Sequence, residues 1–320
     1  MQKIMKIVSV TLFFTLLVLF MILTIVLPKS DFSENENRAL ADLPKATAER
    51  YSDKSLMAGI DNYVSDHFAL RSSLMSVKSL VEHMYGKHLQ NGIYFADERM
   101  VELVTDVDKS IVNNSIEAIN YLACSTNTPV YVMIAPTAAG IYSSDIPSYY
   151  GNENQKTAIE DIYYRLDDRI STLNVYSKLH SARDEYIYYR NDNHWTSYGA
   201  YISYYVAIKK MGYTPAPYSN YDVEHVNSQF RGTFYNKVLY SMYPPDVIDL
   251  YHSKSGNRVL SVAVDTGKEL LQGSMMYYAE YLNKSNKYSL FLEDYKNPYV
   301  QINTSSKREN KLLVIKDSYA

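Results

Sequence analysis

Residues 110–136, SIVNNSIEAINYLACSTNTPVYVMIAP, contain the pattern from which the fold class follows. Isoleucine and leucine recur at helical spacing through 111–122, which predicts a helix over 110–124. The run 129–135 is apolar, rich in β-branched residues and stopped by Pro136, as in a short buried strand. The pattern of this stretch therefore predicts a helix followed by a strand.

The same alternation continues along the chain. We predict helices over 156–173 and 197–211 and short strands at 174–176 and 311–315. Helices that alternate with short, continuously apolar strands are typical of an α/β sheet, largely parallel and flanked by helices. The tyrosine-rich residues 213–304 show no clear order of elements.

Upstream of this region the pattern is helical. Apolar residues at helical spacing predict helices across 46–84, and Asn91–Gly92 predicts a turn before a short strand at 93–95. Within the helical region, we expect Asp66 and His67 to make a structural salt bridge or cap.

Composition and charge restrict the class of protein. The 320 residues include 32 basic and 35 acidic side chains, which gives a net charge of −3. The excess of basic residues that is typical of a nucleic-acid-binding protein is therefore absent. The hydrophobic share of 47% is too high for intrinsic disorder. The single cysteine, Cys124, forms no internal disulfide. We interpret most of the 33 tyrosines as compositional bias and as sheet and core residues.

An apolar segment near the N-terminus predicts a membrane anchor. Residues 7–27 contain no charge, and a helix of this length spans a lipid bilayer. A cleavable signal peptide is the alternative, but the apolar run is long and no small-x-small cleavage site follows it. Lys3 and Lys6 precede the segment, so we expect a cytoplasmic N-terminus and an exported main domain.

Two short segments carry groups suited to nucleophilic catalysis. Asp192 and His194 lie two residues apart, just before the predicted helix over 197–211, so the carboxylate can orient the imidazole. Ser318 follows the predicted strand at 311–315, and α/β folds place ligand sites at the carboxyl edge of their sheets. A serine hydroxyl needs a base, and an oriented histidine supplies one.

Each segment alone also has an ordinary structural explanation. An Asp-x-His pair commonly makes hydrogen bonds at the start of a helix, and Asp-Ser after a strand is often a cap. Asp192, His194, Asp66 and His67 are possible metal ligands, but no HExxH-like spacing is present and we predict no metal site. No nucleotide-binding glycine motif occurs, so no cofactor is predicted.

Five segments together resemble the bacterial DHHW family, which is similar in turn to the SGNH-like domains of alginate O-acetylation proteins. They are FSENENR at 32–38, DHFALR at 66–71, NGIY at 91–94, DNHWT with Gly199–Ala200 from 192, and KDSY at 316–319. The resemblance implies a triad with Ser318 as nucleophile, His194 as general base and Asp192 as the residue that orients it.

The resemblance also implies neighbours of the triad. Trp195 is expected to pack against or wall the site, and Tyr198 to flank it on the substrate side. The backbone N–H of Ser318 would contribute to an oxyanion hole, and the Arg231–Gly232 loop is a candidate for its second donor. Lys316 stands where ordinary Gly-Asp-Ser esterases have glycine.

Together these observations predict an SGNH-hydrolase-like α/β fold preceded by one transmembrane helix. We divide the chain into a cytoplasmic tip and anchor (1–29), a juxtamembrane helical segment (30–95) and the SGNH-like domain (96–320). Ala320 ends the chain two residues after Ser318, so we expect the domain to be truncated at its C-terminus.

The expected function is transfer or removal of acyl groups on cell-envelope polysaccharide, and acetyl is the expected acyl group. The predicted partners are that polysaccharide, a membrane-bound acyltransferase as acyl donor, and the bilayer through residues 7–27. The sequence does not separate a transferase from an esterase. The alternative is a non-catalytic envelope assembly or polysaccharide-binding protein with a vestigial triad.

Overall fold

A computed structural model describes residues 2–254, 256–265, 267–273, 275–284, 286–291, 299–308, 310–317 and 319. The chain divides into two units, one comprising 1–87 and 236–241, the other 88–235 and 242–320.

The first unit begins with a long apolar helix. Its helices and strands are α1 (Gln2–Val26), β1 (Phe32–Ser33), β2 (Arg38–Ala39), α2 (Ala48–Ser52), α3 (Ser55–Asp66) and α4 (Arg71–Met84). In length and composition α1 can cross a membrane, and a signal sequence would have the same character. The predicted helices across 46–84 are confirmed.

Ion pairs hold the β1–β2 hairpin of the first unit against α3. Arg38 makes a bidentate contact with Asp66, at 2.6 and 3.0 Å, and the same carboxylate accepts the N–H of Ala41. His67 ends α3, and its Nε2 lies 3.0 Å from the Ala41 carbonyl oxygen. The structural roles expected for Asp66 and His67 are therefore confirmed.

The second unit is mixed α/β. Its first half contains β3 (Leu89–Gln90), β4 (Ile93–Phe95), β5 (Met100–Glu102), α5 (Lys109–Ser125), β6 (Val130–Val132), α6 (Ala138–Ile141), α7 (Gln155–Arg165), β7 (Ile170–Thr172), α8 (Tyr176–Ser181) and α9 (Ser197–Lys210). From Tyr221 onward the chain forms β8 (Tyr221–Phe230), α10 (Thr233–Val238), β9 (Asp246–Ser253), β10 (Val259–Asp265), β11 (Leu270–Gly273) and β12 (Tyr299–Thr304), and residues 236–238 at the end of α10 belong to the first unit.

Pairing between strands is mostly antiparallel, which corrects the expectation of a largely parallel sheet. Only β6 and β7, among the strands that the structure describes, run parallel. The others form the antiparallel sets β1–β2, β3–β4–β5, β8–β9 and β11–β10–β12. The physical reason is that strands joined by short connections, such as β3 and β4 across Asn91–Gly92, pair antiparallel, whereas parallel pairing needs a crossover.

The predicted helix over 156–173 is too long, and the strand follows it earlier than expected. Helix α7 ends at Arg165, and Asp167, two residues later, makes its hydrogen bonds outside the helix: its carboxylate accepts the N–H of Arg169, and its own N–H donates to the side chain of Asn120 on α5. The strand is therefore β7, Ile170–Thr172, and the predicted strand at 174–176 is wrong because that segment leads into α8.

The predicted buried strand at 311–315 is also wrong. Leu313 and Ile315 are 77% and 78% exposed, and the segment carries no strand pairing in the part of the chain that is described. Apolar, β-branched residues favour extended backbone, but a strand also needs a neighbour to supply ladder hydrogen bonds, and no described strand pairs with this segment.

Candidate functional site

The loop that carries Asp192 and His194 is closed by a short antiparallel ladder. Tyr188 and Trp195 form an isolated bridge, and the Thr196 N–H donates to the Ile187 carbonyl at 3.0 Å. Thr196 then caps α9, since its Oγ1 accepts the N–H of Gly199 at 3.2 Å. The loop 190–193 is thus held at both ends before the helix starts.

A buried carboxylate on β9 fixes the inner side of this loop. Asp246, which is fully buried, accepts the backbone N–H groups of Arg190 and Asn191, each at 2.8 Å. It also accepts the Tyr186 hydroxyl at 2.6 Å and the Asn191 side-chain amide at 3.0 Å. Burial raises the pKa of Asp246, and these hydrogen bonds only partly oppose that rise.

Within the loop, Asp192 and His194 form a close carboxylate–imidazole pair. His194 Nδ1 lies 2.5 Å from Asp192 Oδ1, and the same oxygen accepts the His194 backbone N–H at 2.9 Å. Asp192 is 2% exposed, and the His194 side chain is 12% exposed. A carboxylate in this position selects the imidazole tautomer with the proton on Nδ1, which leaves Nε2 as the basic nitrogen.

The second oxygen of Asp192 is held by the chain segment before α10. Asp192 Oδ2 accepts the N–H of Thr233 at 2.7 Å, and the Thr233 hydroxyl donates to Asn193 at 2.7 Å. Gly232 lies so close to Asp192 that an added Cβ would fall within 3.0 Å of the carboxylate side chain. Glycine is therefore required at position 232 by this approach.

These contacts determine the charge state of the buried carboxylate. Burial by itself raises the pKa of Asp192, but the hydrogen bonds from His194 and the Thr233 N–H outweigh it and lower the pKa below its ordinary value. Asp192 is therefore an ionised, fully hydrogen-bonded partner for His194 at neutral pH.

Aromatic rings surround the imidazole. Tyr288 stacks on His194 with ring centroids 3.9 Å apart, and the Tyr319 ring lies 5.4 Å away at a small interplanar angle. Tyr319 also meets Trp195 edge to face at 5.1 Å. Trp195 is 7% exposed, in agreement with the packing role expected of it.

The structure brings some of the predicted site residues together and separates others. Asp192, His194, Trp195 and Gly232 lie in one cluster, whereas Ser318 lies outside the described residues. The Arg231 guanidinium covers the Tyr235 ring at 4.8 Å. Tyr198 belongs to a separate group of tyrosines, where its ring contacts Tyr201 and Tyr218.

Sequence reasoning missed three residues of this site. Asp246, Thr233 and Tyr288 lie 54, 41 and 94 residues from Asp192 or His194, and nothing in their local sequence marks them. Only the Arg231–Gly232 segment, adjacent to Thr233, carried a usable signal, because a glycine in a tyrosine-rich region with few glycines indicates a close approach.

We expect Asp246→Asn to lower the free energy of unfolding by about 2–3 kcal/mol. Both oxygens of Asp246 accept hydrogen bonds, so either orientation of an amide turns one NH₂ toward buried donors. Urea unfolding followed by circular dichroism measures the change. Asp249→Asn, on the same strand, is the control, since Asp249 pairs with an exposed histidine. Equal losses in the two variants would contradict the role of Asp246.

These observations define a class of protein: it has a mixed α/β unit in which a buried carboxylate–imidazole pair lies just before the start of a helix. The family model described as DHHW protein matches residues 100–320, and the chain belongs to this family. The membership expected from the five sequence segments is confirmed.

Solved structures resemble the chain in fold. A DHHW family protein from Eubacterium siraeum DSM 15702 is 24% identical, with a TM-score of 0.62 over 72% of this chain and 77% of that protein. Bacillus cereus PatB1, in a structure with a sulfonyl adduct, is 16% identical, with a TM-score of 0.54 over 66% and 73%. The O-acetyltransferase domain of Pseudomonas putida AlgJ is 12% identical, with a TM-score of 0.38 over 50% and 64%. No curated protein matches the chain.

Proposed function

We propose that this chain is a membrane-anchored, serine-dependent acyltransferase of the SGNH-like type that transfers acetyl groups on cell-envelope polysaccharide. The observation that carries the proposal is the buried Asp192–His194 pair, in which an ionised carboxylate holds Nδ1 at 2.5 Å. This is the arrangement that prepares an imidazole to act as a general base.

Ser318 is the proposed nucleophile. Its neighbour in sequence, Tyr319, packs against both His194 and Trp195. The Asp317 carboxylate accepts the Tyr319 N–H at 2.9 Å. The sulfonyl adduct of PatB1 agrees with a reactive nucleophile in a protein of similar fold.

The reaction proceeds in two displacements. Ser318 Oγ attacks the carbonyl carbon of the acyl donor while its proton passes to His194 Nε2, and the leaving group departs with that proton. A sugar hydroxyl then gives its proton to His194 and attacks the acyl-Ser318 ester, and His194 returns that proton to Ser318 Oγ as the ester bond breaks and the acetylated sugar leaves. Water in place of the sugar would give an esterase.

The proposed site lies on the extracytoplasmic side of the membrane. Helix α1 serves as the anchor, and Lys3 and Lys6 keep the N-terminus in the cytoplasm. The acyl group then has to reach the outer face of the membrane, and a membrane-bound acyltransferase is the proposed donor.

Covalent labelling tests the nucleophile directly. The protein in detergent micelles is treated with phenylmethanesulfonyl fluoride, and the modified residue is mapped by peptide mass spectrometry. We expect one sulfonyl group on Ser318, no labelling of Ser318→Ala, and much slower labelling of His194→Ala. His225→Ala is the matched control, because His225 is paired with an aspartate but exposed.

Labelling of Ser318→Ala at the wild-type rate would reject Ser318 as the nucleophile. Labelling of Ser318 that does not depend on His194 would favour the alternative function, a binding protein with a vestigial triad.

A further inference from the structure

A groove of about 950 Å³ opens in the unit formed by 88–235 and 242–320, outside the Asp192–His194 pair. Six aromatic residues line much of it: Tyr201, Tyr204, Tyr221, Tyr251, Tyr277 and Phe291. Its volume lies at the upper end of the range of about 300–1,000 Å³ for ligand sites, which suits a chain of several sugars better than a single one. We call it the tyrosine groove.

The rings of the tyrosine groove are fixed in place. The Tyr201 hydroxyl donates to the Ala216 carbonyl and the Tyr204 hydroxyl accepts the Ala216 N–H, both at 3.1 Å. The Tyr277 hydroxyl donates to the Tyr251 carbonyl at 3.2 Å. Because these hydroxyl groups are bound to backbone, the rings are held in position before any ligand arrives, and little side-chain entropy is lost on binding.

The ionisable side chains that line the groove, apart from tyrosine, are basic. Lys254, Arg258 and His252 line it, and no aspartate or glutamate is among its lining residues in the described part of the chain. Lys254 and His252 have acidic partners, Asp222 at 3.3 Å and Glu224 at 2.9 Å. The exposed Arg258 side chain makes no ion pair with any described residue, so its guanidinium is available to an anion.

The groove is connected to the proposed catalytic pair through two ring contacts. Phe291, which lines the groove, packs on Tyr288 at 5.4 Å, and Tyr288 stacks on His194 at 3.9 Å. Ser197, three residues beyond His194, also lines the groove. Only the side chains of Phe291 and Tyr288 would therefore separate a polymer in the groove from the imidazole of His194.

We propose that the tyrosine groove binds an acidic glycan, and that this glycan is the acyl acceptor. Pyranose rings present C–H faces that pack on tyrosine rings, while their hydroxyl groups remain in water. A carboxylate on the sugar pairs with the guanidinium of Arg258, which matches it with two parallel hydrogen bonds. The assignment of the glycan as acceptor rests on the proposed function, whereas the binding site itself does not.

Binding of defined oligosaccharides tests the groove. Hexagalacturonate, neutral cellohexaose and a poly-glutamate of equal charge are titrated into the protein in detergent micelles by isothermal calorimetry. We expect hexagalacturonate to bind most tightly. Tyr251→Leu should weaken its binding about tenfold through the lost ring, whereas Tyr251→Phe keeps the ring and the affinity.

Arg258→Gln separates the charge from the aromatic contribution. Because Arg258 is exposed, the variant is expected to fold normally, to bind hexagalacturonate about tenfold more weakly and to bind cellohexaose unchanged. Arg165→Gln, an exposed arginine on α7, is the matched control. Equal binding of poly-glutamate and hexagalacturonate, or no effect of Tyr251→Leu and Arg258→Gln, would overturn the proposal.

Glycan titration and sulfonyl labelling of the wild-type protein, carried out side by side, keep the two proposals apart. Tight, Arg258-dependent binding without sulfonyl labelling of Ser318 would leave the glycan site standing and reject the acyltransferase. Labelling of Ser318 without glycan binding would do the reverse.

Discussion

We expect Asp192→Asn to lower kcat/KM for hydrolysis of p-nitrophenyl acetate about 10⁴-fold. Both oxygens of Asp192 accept N–H groups: Oδ1 from the backbone and ring of His194, Oδ2 from Thr233. An amide has one oxygen, so its NH₂ group must face donors on one side. If it faces His194, the imidazole proton moves to Nε2, and the nitrogen that should accept the serine proton is blocked.

Asp249→Asn is the matched control for this variant. Asp249 lies 2.6 Å from His225 Nδ1, almost the same distance as in the Asp192–His194 pair, but the His225 side chain is 72% exposed. The two substitutions make the same chemical change in a buried and in an exposed pair. An Asp192→Asn enzyme within threefold of wild type would refute the role of Asp192.

The pH dependence of stability provides a readout independent of activity. Folding lowers the pKa of Asp192, so its carboxylate stabilises the native state above about pH 4, its ordinary range, and this contribution is lost as the pH falls through the lower folded pKa. We expect the free energy of unfolding of Asp192→Asn to decline less steeply with falling pH over that interval than that of the wild type.

Gly232→Ala is expected to lower kcat/KM about 10²-fold and to reduce the free energy of unfolding by about 1–3 kcal/mol. The new methyl group would overlap the Asp192 side chain, which is buried between His194 and the Thr233 N–H and has no open space to enter. The carboxylate must shift, and with it the imidazole that it orients. Steady-state kinetics and thermal unfolding measure the two effects.

Gly273→Ala is the control for the glycine variant. A Cβ at position 273 would have its nearest non-neighbouring heavy atom at 4.0 Å, an ordinary contact, so we expect little change in either property. If Gly232→Ala matched this control in rate and stability, the close approach of residue 232 to Asp192 would have no functional consequence.

Local pattern was sufficient for much of the chain. The run 7–27 predicted the long apolar helix, the spacing in 110–124 predicted α5, and the pattern over 197–211 predicted α9. These features depend on residues within a few positions of one another, because helix periodicity and capping act over one or two turns.

The local sequence pattern gave wrong predictions where it was compatible with two different structures. The apolar run at 311–315 has a strand composition, yet it is exposed and unpaired in the described residues, because pairing depends on a partner elsewhere in the chain. Helix α7 ended earlier than periodicity predicts, and Asp167 beyond its end bonds both to Arg169 nearby and to Asn120, 47 residues away, contacts that periodicity does not register.

The sequence by itself determined which groups are available: an apolar N-terminal helix, alternating helices and strands, and a carboxylate two residues from an imidazole. Only the tertiary structure decided what those groups do. Asp246 fixes the loop, Thr233 and Gly232 hold the carboxylate, and Tyr288 stacks on His194. Each of these contacts joins residues 40 or more positions apart. Such contacts form only when the chain folds, because burial and hydrogen bonding select them by position in space rather than along the sequence.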